Sequence, residues 1–340
     1  ASREVRRVTV FLRPQLLRAD AGGWHDGRVG RTGAIAASVQ ATATSAASWA
    51  ELARRVDGEG FATLYCADHP GSTAAPFVAL AAAAAVTRRV RLGTCVANAG
   101  LWEPMALASE VATLDVLSEG RAVLGLGAGH TPAEWAAVGR SIPGPGARVD
   151  RLAEVVEATT RLLTGEEVTF EGAHVRTDGA RLEVPRPAQP HVPLMIGGGG
   201  RRVLALAARA ADIVGVTGLG RTRDDGHRHD VDWSPAALDA SFSDLREASS
   251  RAGRDPSVEA LVQHVEVTDA PVAAARRLAS AFGIDDASAL LDVPYVWVGT
   301  VEAIVERLAA HRERWGIDRY VVRQDSLDAA SAVLSRLRDA

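Results

Sequence analysis

The sequence predicts an α/β fold, a (β/α)8 barrel in which eight parallel strands alternate with helices. Short, continuous apolar runs and segments of helical period follow one another along most of the chain. Such runs between helices are typical of parallel strands that are buried on both faces. Eight of these units fit between residues 34 and 340, which favours a closed barrel over an open, doubly wound sheet.

The predicted elements follow from the period of the apolar residues and from the turn residues between them. Eight strands are expected, over residues 34–40, 61–67, 90–97, 121–127, 192–200, 212–216, 258–267 and 319–323. Helices are expected over residues 48–60, 75–87, 104–117, 149–164, 201–211, 235–252, 271–282, 300–315 and 327–338. Ser48 and Glu51 indicate a capping box at the start of the first helix.

Two regions depart from this alternation. After the fourth strand, residues 131–147 read as a loop rich in Pro and Gly, and residues 166–184 alternate like a small hairpin. These segments predict an insertion region after strand four. Residues 1–33 precede the pattern and contain many Gly and Arg residues, which indicates an N-terminal extension. We therefore expect an extension over 1–33 and a single barrel domain over 34–340.

The composition argues against several classes of function. The net charge is -4, so no basic excess would attract nucleic acid or an anionic membrane. All 38 basic residues are Arg, and without Lys the chain cannot form a lysine Schiff base, anchor pyridoxal phosphate or build a P-loop. The sequence has no apolar run that could span a bilayer and no signal-peptide pattern, so a cytoplasmic location is expected.

Polar or glycine-rich loops follow four neighbouring strands. Asp68 and His69 come after the second strand, Asn98 after the third, Gly127–His130 after the fourth, and Gly197–Gly200 after the fifth. In a (β/α)8 barrel the carboxyl ends of all strands meet at one rim, where active sites form. We therefore expect these loops to converge on a site.

Two histidines in these loops are candidate catalytic residues. His69 and His130 could donate or accept a proton near neutral pH, and Asp68 could orient a ring. The simpler interpretation of Asp68 and His69 is a pair that caps the following helix. His130 could equally be an exposed loop residue.

The glycines of both later loops suit a ligand that lies close to the backbone. Gly127, Ala128 and Gly129 would let a flat ligand approach, although a tight turn also explains the glycines. Gly197–Gly200 lead into a helix whose first N–H groups favour an anion, and this is the best candidate phosphate site. A flexible turn is the alternative there.

A metal site is not expected. The polar segment 224–233 contains four side chains that metals can bind, namely His227, His229, Asp230 and Asp232. A charged surface loop explains this composition more simply.

In this order and spacing, the motifs resemble the bacterial luciferase-like superfamily, and most closely its actinobacterial oxidoreductases that use coenzyme F-420, a 5-deazaflavin. The resemblance covers roughly Ala34 to Leu337 and rests on the stretches "GFATLYCADHP", "RLGTCVANAGLWEPMALASEVATLDVLSEGRAVLGLGAG", "PGARVDRLAEVVEATTRLLTGEEVTFEGAHV", "PLMIGGGGRRVLALAARAADIVGV" and "VWVGTVEAIVERL". It implies a TIM-type barrel with an insertion region, which agrees with the pattern of strands and helices.

The resemblance also implies cofactor-binding roles. The matching positions are the acid-histidine pair beside the deazaflavin ring (Asp68 and His69), the bulge behind the ring, often with a non-proline cis peptide (Cys95 and Val96), the ring contact after strand four (Gly127, Ala128 and Gly129) and the loop that holds the cofactor tail (Gly197, Gly198, Gly199 and Gly200).

The chain departs from these relatives on the expected substrate side. At His130 relatives often carry Glu or an aromatic residue, and they commonly have Arg and His where this chain has Trp102 and Glu103. Together with Asn98 and Trp135, Trp102 and Glu103 are the candidate substrate-side residues. The departures leave the identity of the substrate open.

The function that the resemblance implies is hydride transfer between reduced coenzyme F-420 and an electrophilic carbon, in an activated C=C, C=N or C=O group of a small molecule or natural-product intermediate. His69 or His130 would handle the accompanying proton. Two alternatives stay open: an FMN-dependent luciferase-like monooxygenase, and a barrel that binds a flavin without catalysis. A homo-oligomer, most simply a dimer, is a family expectation.

Overall fold

The computed structural model describes residues 34–220, 229–282, 284 and 286–339, and the predicted extension at 1–33 lies outside the described residues. The strands are β1 (Ala36–Ala41), β2 (Thr63–Cys66), β3 (Arg91–Thr94), β4 (Ala97–Asn98), β5 (Ala122–Gly127), β6 (Glu167–Glu171), β7 (Arg176–Arg181), β8 (Leu194–Gly197), β9 (Ile213–Val216), β10 (Ser257–Leu261), β11 (His264–Val267), β12 (Val296–Gly299) and β13 (Ile317–Arg323). The α-helices are α1 (Ala46–Gly58), α2 (Pro76–Ala84), α3 (Pro104–Leu117), α4 (Pro132–Ala137), α5 (Pro145–Leu163), α6 (Arg201–Ala210), α7 (Pro235–Arg251), α8 (Pro271–Phe282), α9 (Val301–Trp315) and α10 (Leu327–Arg338).

Eight parallel strands close into a barrel. Around the barrel the order is β1, β2, β3, β5, β8, β9, β10 and β13, and β13 pairs again with β1. Val39 of β1 lies opposite Leu64 of β2, and Ala36 of β1 lies opposite Arg319 of β13. The predicted TIM-type (β/α)8 fold is therefore confirmed.

The strands are buried on both faces. One face of five strands forms a cluster inside the barrel, made of Tyr65, Val123, Met195, Ile213 and Val321. The other face packs under the helices, as Leu64, Leu92 and Leu124 do in the main core. This burial on two sides is the reason that the strands read as continuous apolar runs in the sequence.

A charged group also lies inside the barrel. Glu259 is 1% exposed and accepts hydrogen bonds from Ser38 Oγ and Tyr65 Oη, each at 2.8 Å. The Nε atom of Arg319 lies 3.6 Å from Glu259 Oε1. Because each of these polar groups would be costly to bury alone, the cluster holds the four strands β1, β2, β10 and β13 in one arrangement.

Two predicted strands are divided in the structure. The third ends as β3 at Thr94, the Cys95–Val96 peptide bond is cis, and the chain then pairs with β5 as β4. The prediction of one strand over 258–267 was wrong, because the chain leaves the barrel after Leu261. The next segment, β11, pairs instead with β12 in a separate two-stranded parallel sheet. Valines recur from Val258 to Val267 with no Gly or Pro between the two strands, so no turn residue marks the boundary.

The insertion after the fourth barrel strand agrees with the sequence except in its first part. Strands β6 and β7 form the expected antiparallel hairpin. Residues 131–147 are not a loop throughout, because they contain the helix α4, and α5 begins at Pro145 rather than at residue 149. Helix α4 has six residues, which is too short for a helical period to show.

The expected capping box of the first helix is also absent. Ser45, rather than Ser48, is the N-cap of α1, and its side chain accepts a hydrogen bond from the backbone N–H of Ser48. In the part of the chain that the structure describes, none of the helices has both the length and the apolar character needed to cross a bilayer.

Candidate active site

The rim at the carboxyl ends of the strands contains a histidine paired with a buried carboxylate. His69 Nδ1 lies 2.6 Å from Glu134 Oε1, and Asn98 Nδ2 donates to Glu134 Oε2 at 2.9 Å. His69 follows β2, Asn98 ends β4 and Glu134 lies in α4, so three separate elements supply the pair and its support. Glu134 is only 6% exposed, which fixes the carboxylate in place.

The pair shifts the titration of both partners. The hydrogen bond to Glu134 raises the pKa of His69 above its usual value, although burial opposes the shift. Burial alone would raise the pKa of Glu134, but hydrogen bonds from His69 and Asn98 outweigh it and lower that pKa. Ionised Glu134 only accepts hydrogen bonds, so Nδ1 of His69 must carry a proton. The second ring nitrogen, Nε2, forms no hydrogen bond to the described residues and can serve a ligand.

Asp68 connects the end of β2 to the loop after β4. Its Oδ2 atom accepts hydrogen bonds from the backbone N–H of Asn98 at 3.1 Å and from Trp102 Nε1 at 2.8 Å. The Trp102 ring also packs edge-to-face on Phe77, with centroids 5.4 Å apart. The carboxylate of Asp68 therefore orients Trp102 on the rim beside His69.

Two arginines hold the loop over residues 99–103, and one of them, Arg140, donates to the carbonyl oxygen of Gly100 at 3.0 Å. Arg151 donates to the carbonyl oxygens of Ala99 and Trp102, each at 3.0 Å, and to Glu103 Oε1 at 2.9 Å. The Trp135 side chain is buried under the same loop, where a Cβ atom at Gly100 would come within 2.1 Å of the indole ring. Glu103 and Trp135 thus have structural partners in this loop, and their contact with a substrate stays a prediction.

His130 lies near His69 but in a different environment. The two rings have centroids 5.9 Å apart, and the His130 ring lies 5.2 Å from that of His229. Burial lowers the pKa of His130, and the neighbouring rings of His229 and His69 lower it further. The pKa values of the two histidines are therefore shifted in opposite directions, and His69 keeps its proton to a higher pH than His130 does.

Among the residues that the structure describes, no three metal-ligating side chains come together as a metal site. Of the four candidates in the segment 224–233, His227 lies outside the described residues.

The glycines around the cis peptide make room for Val96. A Cβ atom at Gly127 would lie 2.5 Å from Val96 Cγ2, and one at Gly197 would lie 2.9 Å from Val96 Cγ1. Gly129 has a φ of +70°, and a Cβ there would collide with the Asn98 amide. The bulge at Cys95 and Val96 can press against β5 and β8 only because these positions are glycines.

The four-glycine loop ends at an open helix N-terminus. Gly200 is the N-cap of α6, no side chain caps this helix, and a Cβ at Gly200 would have no heavy atom within 4 Å. Gly198 has a φ of +154°, and a Cβ at Gly199 would lie 2.9 Å from the carbonyl oxygen of Leu219. The first N–H groups of α6 are thus available to an anion.

Helix α5, which is joined to the start of α6 by Arg202, contains an arginine with an unpartnered nitrogen. Arg202 of α6 contacts Asp150 at 2.5 Å and the carbonyl oxygen of Gly146 at 3.4 Å, which brings the first turns of α5 and α6 together. Arg148 lies in that first turn of α5, and its buried Nε atom has no hydrogen-bond partner among the described residues. We call Gly197–Gly200 and the first turn of α6 the phosphate cradle. This cradle and the unpartnered nitrogen of Arg148 fit the phosphate of a flavin or deazaflavin cofactor.

Sequence reasoning missed four polar residues of the rim: Gln40, Glu134, Gln263 and Arg323. Gln40 lies near the end of β1 and Arg323 ends β13, so the rule that selected Asp68 and His69 would have found both. Gln263 lies just beyond the barrel strand β10, and Glu134 is in the short helix α4. The sequence does hold a signal for this helix, because Thr131 is its N-cap, Pro132 follows at the first helical position, and Glu134 is the acidic residue of the first turn.

Residues 31–288 match the family model described as luciferase-like monooxygenase. This match covers well over half of the chain. The chain belongs to the luciferase-like family. The resemblance that the motifs indicated is therefore confirmed at the level of the family.

Individual relatives of this luciferase-like protein include F420-dependent enzymes and a monooxygenase. An F420-dependent glucose-6-phosphate dehydrogenase of Nakamurella multipartita is 39% identical over 171 residues, which is 48% of this chain and 50% of the relative. The structure of monooxygenase RslO1 from Streptomyces bottropensis has a TM-score of 0.66 and 26% identity, over 89% of this chain and 97% of the other. The F420-dependent tetrahydromethanopterin reductase from Methanopyrus kandleri has a TM-score of 0.69 and 19% identity, over 88% and 97% of the two chains, and shows the shared fold.

The sequence matches are partial. The matching regions span 50% to 65% of the length of the curated relatives.

Proposed function

We propose that this luciferase-like protein is a coenzyme F-420-dependent oxidoreductase that transfers hydride to or from an electrophilic carbon of a small molecule. The observation that carries the proposal is the His69–Glu134 pair on the barrel rim, next to the Cys95–Val96 bulge. A similar curated relative is an F420-dependent dehydrogenase, which supports the choice of cofactor.

The residues that would hold the cofactor form two groups. Asp68 and the backbone of Cys95–Val96 and Gly127–Gly129 would flank the ring, and Gly197–Gly200 with the first turn of α6 would bind the phosphate. The orphaned Nε of Arg148 would add a positive charge to this phosphate site. When bound, coenzyme F-420 supplies a carbon-centred two-electron carrier, so hydride moves without a radical step.

His69 supplies or removes the proton that accompanies the hydride. Its Nδ1–H is held by ionised Glu134, so Nε2 is a donor when the ring is protonated and an acceptor when the ring is neutral. In the direction of reduction, Nε2–H donates to the atom that gains electron density as the neighbouring carbon receives hydride. In the direction of oxidation, neutral Nε2 accepts the proton of the alcohol or amine. A positioned acid or base of this kind contributes about 10²–10⁴-fold to the rate.

The hydrogen-bonded residues around His69 would also hold the reacting groups in position. Asn98 fixes Glu134, Asp68 fixes Trp102, and Arg151 fixes the loop between them. Groups held by hydrogen bonds on separate elements keep the reacting atoms in one geometry, which lowers the entropic part of the barrier. Trp102 would cover one side of the reacting atoms and exclude water.

An FMN-dependent monooxygenase is the second candidate. The observation in its favour is the 26% identity with a monooxygenase structure along nearly the whole chain. The phosphate cradle at α6 suits FMN and coenzyme F-420 equally well. Reduction of a C=C, C=N or C=O group adds a hydride and a proton, and His69, whose pKa is raised by Glu134, is positioned to supply that proton. For this reason we prefer the deazaflavin enzyme.

Cofactor titration tests the proposal. Purified protein is titrated with coenzyme F-420 and, separately, with FMN, and binding is followed by fluorescence quenching. We expect micromolar or tighter binding of coenzyme F-420 and weaker binding of FMN. Equal or tighter binding of FMN, together with turnover that consumes O₂, would assign the protein to the monooxygenases instead. A protein that binds neither would be a barrel with another function.

A further inference from the structure

Arg323 ends β13 on the same rim as His69, and its side chain is held by two glutamines. Its Nη1 atom donates to Gln40 Oε1 at 3.1 Å, and its Nη2 atom donates to Gln263 Oε1 at 3.3 Å. Arg323 is exposed to solvent. A guanidinium that reaches the rim is therefore oriented by neighbours from two other strand ends, rather than left free on the surface.

The two glutamines are themselves fixed in orientation. Gln40 Nε2 donates to the carbonyl oxygen of Cys95, next to the cis peptide. Gln263 Nε2 donates to the carbonyl oxygens of Leu261 at 3.2 Å and of Thr217 at 3.4 Å. Because both amide nitrogens are engaged with backbone, both amide oxygens point to the guanidinium. The ends of four other strands, β1, β3, β9 and β10, thus contribute to the support of a single cation.

The two glutamines that hold Arg323 do not neutralise its positive charge. Other arginines of the chain pair with carboxylates, as Arg151 does with Glu103 and Arg314 with Asp239. Arg323 forms no ion pair with any residue that the structure describes, and its two partners are uncharged amides. A guanidinium has five N–H groups and the glutamines accept from two of them, so three are available to a ligand.

The position of this cation relates it to the proposed chemistry. Its charge acts on His69, where it opposes protonation, and on Cys95 at the bulge. An anion bound to Arg323 would accordingly lie within electrostatic reach of the reacting centre. Neutral amides are suited to hold such a cation, since carboxylates would fill its donors and cancel its charge.

We propose that Arg323 binds a carboxylate or phosphate group of the substrate, and that the enzyme therefore acts on anionic small molecules. The proposal rests on the proposed function, because it takes the rim beside His69 as the place of reaction. The anion pairs with the free N–H groups of Arg323 and fixes the substrate with its electrophilic carbon towards His69. The chain has no Lys, so an arginine is the residue available for this task.

Equilibrium binding to the protein loaded with coenzyme F-420 tests this assignment. The ligands are benzoate, succinate and inorganic phosphate, with benzamide as the neutral counterpart of benzoate, and binding is measured by calorimetry. The variant is Arg323→Gln, and the control is Arg336→Gln, which removes an exposed arginine from the last turn of α10. A charged hydrogen-bonded pair is worth about ten- to hundredfold in affinity. We expect Arg323→Gln to lose roughly that factor for at least one anion and to keep the affinity for benzamide, while the control binds as the wild type does.

Three results would overturn the assignment. Arg323→Gln could bind all three anions as tightly as the wild type does. It could bind the three anions as before but bind reduced coenzyme F-420 less tightly, relative to the oxidised form. Arg323 would then pair with a negative charge on the reduced cofactor ring and not with a substrate. If the wild-type protein fails to bind coenzyme F-420 in the preceding titration, the proposed function fails first, and the substrate assignment falls with it.

Discussion

The imidazole of His69 and the carboxylate of Glu134 lie 2.6 Å apart at the carboxyl end of the barrel, although 65 residues separate them in the chain. The pair holds the pKa of His69 above the usual value for histidine. Glu134 does not itself face a substrate in this account. It acts through His69, by fixing the ring and by stabilising the protonated form.

Replacing Glu134 with Gln should therefore move the pH dependence of the reaction. In the direction of reduction His69 must be protonated, and the rate falls as pH rises through the pKa of His69. Without the carboxylate that pKa falls, so Glu134→Gln should lose activity at a lower pH than the wild type does. The measurement is the rate of single-turnover oxidation of the reduced cofactor as a function of pH. The matched control is Glu166→Gln, which removes an exposed carboxylate that pairs with Arg161. An unchanged pH profile in Glu134→Gln would contradict the positioning role.

Gly200→Val should weaken cofactor binding while the protein stays folded. A Cβ at Gly200 meets no atom within 4 Å, so the fold has room for the side chain, but the added methyl groups would fill the space in front of the first turn of α6. We expect a loss of affinity of about tenfold or more, because the anion loses N–H contacts there. Gly58→Val is the control, since Gly58 is also open and ends α1, away from the loop. Equal affinity in folded Gly200→Val, measured by fluorescence titration, would argue against the phosphate cradle.

Glu259→Ala should destabilise the barrel by about 3–5 kcal/mol, the typical cost of removing one member of a buried ion pair. The substitution leaves Arg319, Ser38 and Tyr65 buried without their shared acceptor. Urea denaturation followed by circular dichroism gives the free energy of unfolding. Glu266→Ala, at a partly exposed carboxylate that pairs with Arg277, should cost about 1 kcal/mol or less. A similar cost for both variants would mean that the inner cluster does not stabilise the fold.

The architecture was predictable because it follows from local pattern. Buried parallel strands read as apolar runs, and the residues at their ends, such as Asp68, His69 and Asn98, lie on one rim by the geometry of the barrel. The division of the seventh predicted strand was not predictable in the same way. Val262 and Gln263 connect the two strands without a Gly or Pro, and only the pairing of β11 with β12, a tertiary contact, shows that the chain has left the barrel.

The partners of the site residues could not be predicted from one sequence. Glu134 reaches His69 because a six-residue helix turns it inwards. Thr131 and Pro132 mark the start of that helix in the sequence, but they do not show that its acidic residue meets His69. The glycines at the strand ends were expected to make room for a ligand, and two of them also make room for a side chain. Gly127 of β5 and Gly197 of β8 are required by the close approach of Val96, which lies between β3 and β4, and spacing along the chain does not reveal this contact.

The measurement that tests the account most directly is single-turnover oxidation of reduced coenzyme F-420 by a panel of activated alkenes, imines and ketones, under anaerobic conditions. Wild type, His69→Ala and His130→Ala are compared across the pH range, after cofactor binding has been measured for each. We expect transfer in the wild type, a loss of roughly 10²–10⁴-fold in His69→Ala, and a smaller effect in His130→Ala. Near-wild-type rates in His69→Ala, with a large loss in His130→Ala, would contradict the assignment of the proton to His69. If wild-type protein with bound, reduced cofactor transfers hydride to none of the panel but consumes O₂ with FMN, the central claim of a deazaflavin oxidoreductase is wrong.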